Sequence, residues 1–514
     1  MDSVSPPSWL KAYPSRIPWR INVEFKPIHE TILARASETP EKCALIDLED
    51  GSCHSYNTLR DAMSSVASWL QDQGAGPGTM VGFAARNTGR AGMALLGALA
   101  SGARVVLVDP LTRGEDLVMQ VEGRRFKAFI VDSEFYAENK SILESHDTGS
   151  ILVVDGVPDG ALIIDSLLGS GSGWTPPVLA EDSDSIALYY AGIAGRTMQA
   201  IHSHRGLQLA VEAYNAMAGI TGDIVSLAVA PITHVLGLHL SFLSPLAAGG
   251  TVVMMRRWDP DAALRAILDD SPYSVNYTAG APLMYEQLLE RLKAANAHGA
   301  LRLAVSAGAP LKPEVQLEYL KNLGIPLVQA YGMTETLLLT MQPVELADVT
   351  GTLGMPLPMV EVMLRDPETG LLKEPPGLGE LVVRAPWVMK GYEFPEENRN
   401  AFLDGGWLRT GDLVEIDDRG LFYFRGVLKR IIKYKGYAIL PRDLEVILER
   451  HPAVARAVVE GEPDPVVGQK PVARVWIRRE WQGKVTPGDL MDYVNSRVAF
   501  YKKLRGVEIA GVVD

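Results

Sequence analysis

The sequence predicts an α/β protein, with a large N-terminal domain built on parallel sheet and a small α+β C-terminal domain. Three observations carry that expectation. The 514 residues exceed one ordinary domain and can bury a large core. The first part alternates helix-period segments with short apolar runs, the pattern of parallel βα units. From Gly370 onward the runs shorten and turns multiply, as in a smaller mixed domain.

In chain order, residues 57–73 place Leu59, Met63, Val66 and Leu70 at helical spacing, and Gly74 follows as a stop. Residues 80–84 are a short apolar run. Residues 90–101 read as a helix rich in small side chains. Residues 105–108 read as a buried strand ending at Asp109-Pro110, and 129–131 and 151–154 as further short strands. Ligands of such sheets sit in the loops at the carboxyl ends of the strands. In the later part, 380–384, 421–424 and 430–432 suggest strands. Residues 442–450 form a helix that His451-Pro452 ends. Residues 453–460 and 471–477 are strands, and 487–498 a helix. This tail has the size of a small domain.

The formal net charge of -13 disfavours nonspecific binding to nucleic acid or an anionic membrane. The apolar stretch 93–108 is broken by Gly97, Gly102 and Arg104, too interrupted for a membrane span. The N-terminus has no basic-then-apolar signal pattern. A soluble cytoplasmic protein is expected. Cys43 and Cys53 have no zinc or CxxC spacing, and no disulfide framework is expected.

Chemistry enters at Gln329-Ala330-Tyr331-Gly332-Met333-Thr334-Glu335. Ser306-Ala307-Gly308-Ala309-Pro310 precedes it. Gly405-Gly406-Trp407-Leu408-Arg409-Thr410-Gly411-Asp412 and Lys429-Arg430-Ile431-Ile432-Lys433-Tyr434-Lys435-Gly436 follow. Together, over nearly the whole chain, these segments resemble the adenylate-forming superfamily of acyl- and aryl-CoA synthetases, luciferases and peptide-synthetase adenylation domains. The resemblance implies a multi-subdomain N-terminal domain over residues 1–428. It implies a small mobile C-terminal domain over 429–514, hinged near Lys429. It also implies adenylation of a carboxylate by ATP, rotation of the small domain, and attack of CoA thiol on the acyl-adenylate.

The same resemblance assigns roles. Tyr331 would stack on adenine, with Gly308, Ala309, Pro310, Ala330 and Gly332 lining the nucleoside. Asp412 would hold the ribose diol, a charge-assisted pairing. Thr334 would reach the α-phosphate. His234 matches the pocket-gating histidine, with Leu236, Leu238 and Leu337 around an apolar acyl group. Lys433, Lys435 and Gly436 match the loop lining the CoA tunnel, where a missing side chain lets a ligand pass close to backbone. Glu335 matches a magnesium ligand, with a structural role equally weighted, so Mg2+ is left open.

The pattern breaks where triphosphate should bind. The family's phosphate loop reads roughly [ST]SG[ST]TGxPKG, with a histidine five residues on. Here Tyr190-Ala191-Gly192-Ile193-Ala194-Gly195-Arg196-Thr197-Met198-Gln199 stands in its place, and His204 is the histidine. Ala191, Ile193 and Ala194 replace hydroxyls, and Met198 replaces the lysine. Phosphates need N–H groups, hydroxyls and a cation. The Asp-Arg pair before the hinge is Gly426-Val427. The chain also stops before the PKxxxGK segment with the adenylation lysine.

These losses resemble those of non-adenylating acyl-CoA ligases such as that of platensimycin-type diterpenoid biosynthesis, although no residue fixes the acyl group. The expectation is a thioester-forming enzyme using acyl-adenylate and CoA and releasing AMP, supplied by a partner adenylating enzyme. A complete ATP-dependent ligase and a silent acyl-nucleotide-binding relative are the alternatives. His204 is expected to be structural, and Lys502, Lys503 and Arg505 a surface charge run. Oligomeric state is left open.

Overall fold

The computed structural model describes residues 6–156, 161–169, 173–191, 197–268, 270–295, 300–428, 432–439 and 441–513. Two large sheets dominate it. A nine-stranded sheet runs in the order Met355–Pro356, Leu337–Met341, Leu327–Met333, Leu303–Ser306, Tyr277–Gly280, Val225–Ala228, Thr251–Met254, Cys43–Asp47, Cys53–Ser55. The six strands from Leu327–Met333 to Cys43–Asp47 pair in parallel. An eight-stranded sheet has Asp184–Ala191, Arg104–Leu107, Met80–Ala84, Ala128–Val131, Ser150–Val153 and Leu162–Ile163 in parallel. Beyond Asp184–Ala191 lie its antiparallel partner Thr197–Ser203 and then the edge strand Gly391–Tyr392.

Helices Tyr56–Asp72, Gly89–Ala100 and His204–Ala218 share one core cluster with strands of both sheets. Their starts follow from side-chain caps. Ser55, Thr88 and Ser203 accept the backbone N–H groups of Thr58, Ala91 and Gly206. Helix Gly89–Ala100 is buried on nearly every face, which is why its residues are small: a Cβ on Gly97 would come 2.6 Å from Val66 Cβ.

A third sheet occupies residues 361–427. A fourth, of five strands, is built wholly from residues 432–513 around its own core. The fold is thus the expected α/β assembly of a large N-terminal and a small C-terminal domain. The small domain's two long strands, Val454–Asp464 and Gly468–Arg478, extend beyond their expected limits, while helix Pro487–Asn495 stops short of residue 498. Lys429, Arg430 and Ile431 lie outside the described residues.

Two expectations are corrected. Cys43 and Cys53 form a disulfide, because antiparallel pairing of their strands brings the two Cα atoms within 5.8 Å. Lys502 is not part of a surface run. It is buried between two aspartates, and Arg505 donates to Tyr434 Oη and the Phe500 carbonyl. No helix among the described residues is long and apolar enough to cross a membrane.

Candidate active site

The parallel strands of the nine-stranded sheet end together, and the motif residues stand at or just beyond those ends. Gly308, Ala309 and Pro310 follow strand Leu303–Ser306. Gly308 has φ +85° and open space on its Cβ side, so its backbone is left uncovered. Ala330, Tyr331 and Gly332 lie on Leu327–Met333, which leaves its parallel partner and turns back antiparallel to Leu337–Met341. Gly332 is required there, since a Cβ would meet the Leu337 carbonyl oxygen at 1.9 Å.

Asp412 comes from the third sheet, on strand Trp407–Ile416. Tyr331 Oη donates to Asp412 Oδ2 at 2.6 Å, which fixes the ring and the carboxylate as one unit. Burial and the Asp412 charge both push the Tyr331 phenol well above its usual range, so it remains the donor. Thr334 follows the strand, and His202 Nε2 holds its carbonyl oxygen at 2.9 Å. That histidine escaped the sequence reading, although it sits one position before the Ser203 cap. Glu335 is buried and accepts the Tyr392 hydroxyl. Among the described residues no three His, Cys, Asp or Glu side chains could gather on one metal ion. Glu335 Oε1 is engaged by the Tyr392 hydroxyl.

His234 enters from the loop after Val225–Ala228. Its Nδ1 accepts the Leu236 N–H at 3.3 Å, which leaves the proton of the neutral ring on Nε2. His234 is an exposed residue, so desolvation by the surrounding protein is partial; with the Lys433 ammonium it moves the imidazole below its ordinary value, which favours the neutral ring. The π-helical turn Leu236–Leu243 follows at once. Such turns concentrate at functional sites. Gly237 lets it pack, because a Cβ there would lie 2.2 Å from the Ala230 and Pro231 carbonyl oxygens. Leu236, Leu238 and Leu337 are all buried, and Leu337 has φ +52°, a conformation disfavoured for a branched side chain.

The small domain completes the cleft. Lys433 lies on strand Ile432–Tyr434, and Lys435 (φ +48°) and Gly436 (φ +83°) make the turn that follows. A Cβ on Gly436 would touch Ala281 Cβ at 3.8 Å, so this turn lies against the end of strand Tyr277–Gly280. Burial lowers the Lys433 ammonium while the Asp412 and Glu335 carboxylates act the other way. Lys433 thus feels the charges of Asp412 and Glu335, two residues of the large domain.

Of the phosphate-loop residues, Gly192, Ile193, Ala194 and Gly195 lie outside the described residues. Ala191 ends strand Asp184–Ala191. Met198 is buried in the apolar core on strand Thr197–Ser203. The Thr197 hydroxyl beside it donates to the Met119 carbonyl and is spent on structure. His204 is fully buried, its ring against that of His29.

The motif residues thus gather at the strand ends of the large domain, faced by a turn of the small one. The AMP-binding enzyme family matches residues 32–393, and the AMP-binding enzyme C-terminal domain matches 443–513. The chain is 31% identical to 4-coumarate--CoA ligase-like 9 of Oryza sativa subsp. japonica, over 95% of this chain and 89% of that one. It is 29% identical to 4-coumarate--CoA ligase 5 of the same plant, over 96% and 92%. Amide bond synthetase McbA from Marinactinospora thermotolerans superposes with a TM-score of 0.83 at 26% identity, covering 95% and 96% of the two chains. The chain belongs to the AMP-binding enzyme family and stands among its acyl-CoA ligases.

Proposed function

We propose that this ligase carries out the thioester-forming half-reaction, acyl-adenylate plus CoA to acyl-CoA plus AMP, with adenylation by ATP severely impaired. The observation that carries the reading is the chemistry of the phosphate-loop segment. Ala191, Ile193 and Ala194 bring no side-chain donor, Met198 brings no charge, and the adjacent Thr197 hydroxyl is already engaged. Hydrogen bonds to charged groups contribute about 1.5–3 kcal/mol each, so the losses fall heavily on the β- and γ-phosphates. The nucleoside side keeps Tyr331 and Asp412 already paired. Strand Ile432–Tyr434 with Lys433, and the turn at Gly436 that packs against Ala281, supply the segment through which the thiol would enter in this reading.

In this reading the CoA sulfur attacks the acyl carbonyl carbon, and the bond from that carbon to the phosphate oxygen breaks. AMP leaves with the bonding pair, and the thiol proton goes to solvent. A thiol pKa near 8.5 supplies some thiolate at neutral pH without a dedicated strong base. Neutral His234 offers its Nε2–H beside the reacting carbonyl, and Lys433 places a cation near the departing phosphate. Leu236, Leu238 and Leu337 favour an apolar acyl group. The adenylate comes from a partner adenylating enzyme.

The test supplies a chemically made acyl-adenylate and CoA without ATP and follows thioester by mass spectrometry. Thioester should form, while carboxylate-dependent exchange of labelled pyrophosphate into ATP runs at least about 100-fold slower. Brisk exchange would instead support a complete ATP-dependent ligase. Absence of thioester with every acyl group tried would end the proposal.

A further inference from the structure

The seam between the domains contains a buried charged triad outside the reaction site. Lys502 Nζ donates to Asp116 Oδ1 at 3.3 Å and to Asp443 Oδ2 at 3.1 Å. All three side chains are almost wholly removed from solvent. Asp116 belongs to helix Glu115–Val121 of the large domain, and Asp443 to helix Pro441–Glu449 of the small one. The Ala499 N–H also points at Asp116 Oδ2, at 3.4 Å.

The contact around the triad is continuous. Arg450 pairs with Glu115, a Cβ on Gly114 would lie 3.3 Å from the Arg497 carbonyl oxygen, and Leu111 and Met119 pack on the small domain's core. Each domain brings one carboxylate, and a single ammonium stands between them. The Lys502–Asp443 pair exists within the small domain alone, whereas the Lys502–Asp116 pair exists only while the domains are docked. Without the ammonium, two carboxylates would face each other in a dry seam. Breaking a buried pair by removing one partner is strongly unfavourable, because the remaining charge is uncompensated.

We propose that Lys502 is a positioning residue that fastens the small domain in the pose presenting Lys433 and Gly436 to the Tyr331–Asp412 site. The proposal rests on the thioester-forming reading above. Lys502 touches no reacting atom and acts through the docked turn. The charge logic gives an ordering that simple loss of packing does not. Lys502→Met leaves two opposed carboxylates and is the worst change. Asp116→Asn removes one pairing and keeps Lys502–Asp443. Combining the two removes the repulsion and recovers part of the loss.

The experiment uses the full chain with three readouts: thioester formation from acyl-adenylate and CoA, calorimetric affinity for a non-hydrolysable acyl-sulfamoyl-adenosine, and radius of gyration by small-angle scattering. Lys502→Met should slow thioester formation by about 100-fold and expand the particle. Its affinity for the adenylate analogue should stay within about twofold, because the nucleoside cradle is untouched. Asp116→Asn should slow the reaction by about tenfold, and the double variant should lie closer to it than to Lys502→Met. A Lys502→Met protein as fast and compact as the parent, or a double variant no better than Lys502→Met, overturns the proposal. If Lys502→Met does not fold, Asp116→Asn decides, and wild-type compactness and rate in it overturn the proposal. If the parent makes no thioester, the functional reading fails, while scattering still decides the role of Lys502.

Discussion

At the residue scale the site rests on a few pairs that no short motif spells out. Tyr331 and Asp412 are 81 positions apart and share one hydrogen bond. The motif reading gave Tyr331 a ring for stacking and Asp412 two oxygens for a ribose. It did not show that the phenol holds the carboxylate in place. Tyr331→Phe keeps the ring and deletes the donor. A hydrogen bond to a charged group contributes about 1.5–3 kcal/mol, so affinity for an acyl-sulfamoyl-adenosine should fall by about tenfold or more in calorimetry. An unchanged affinity would mean that Asp412 is held by other contacts. Lys502 makes the opposite point. Beside Lys503 and Arg505 it reads as solvated charge, and only the approach of Asp116, 386 positions earlier, reveals a buried cation.

At the element scale, residues 57–73 and 90–101 were legible as helices from their apolar period and small side chains, while helix His204–Ala218 was not read from the sequence. Ser55, Thr88 and Ser203 each begin a helix as such residues should. The π-helical turn Leu236–Leu243 was not legible, because eight mostly apolar residues fit any buried helix equally well. Its geometry depends on Gly237 meeting the Ala230 and Pro231 carbonyls. Gly237→Ala should therefore displace the turn and His234 with it. Thioester formation should drop by about 100-fold, while the adenine cradle on another strand keeps its affinity. Kinetics and calorimetry on the same preparation would separate these effects, and a fully active Gly237→Ala protein would contradict the packing argument.

At the scale of the whole molecule, burial of neutral histidines sets an acid limit. Burial lowers His29 to about 3 and His204 and His239 to about 4, from an ordinary value of 6.5. His204 adds to the effect at His29, while Asp184 opposes it at His204. Above pH 6.5 both folded and unfolded chains keep these rings neutral, and they contribute no pH dependence. Below it the unfolded chain binds protons that the folded chain refuses. Each ring then costs about 1.4 kcal/mol of stability per pH unit until its folded value is reached. Denaturant titrations at fixed ionic strength should show stability falling from pH 6.5 toward pH 5. A rise on acidification would show that these rings are protonated in the fold.

The sequence by itself determined the α/β class, the division into a large and a small domain, and the family, because each is written in local period and contiguous strings. It also marked residues 190–199 as poor in side-chain hydroxyls and without a lysine, since such groups are either present at their positions or not. Only the tertiary structure decided that Cys43 meets Cys53, that Tyr331 holds Asp412, and that the turn at Gly436 packs against Ala281. It alone placed Lys502 in the seam between domains. Those facts depend on elements far apart in the chain being brought together, and no local pattern of side chains encodes which distant partner fills a given space.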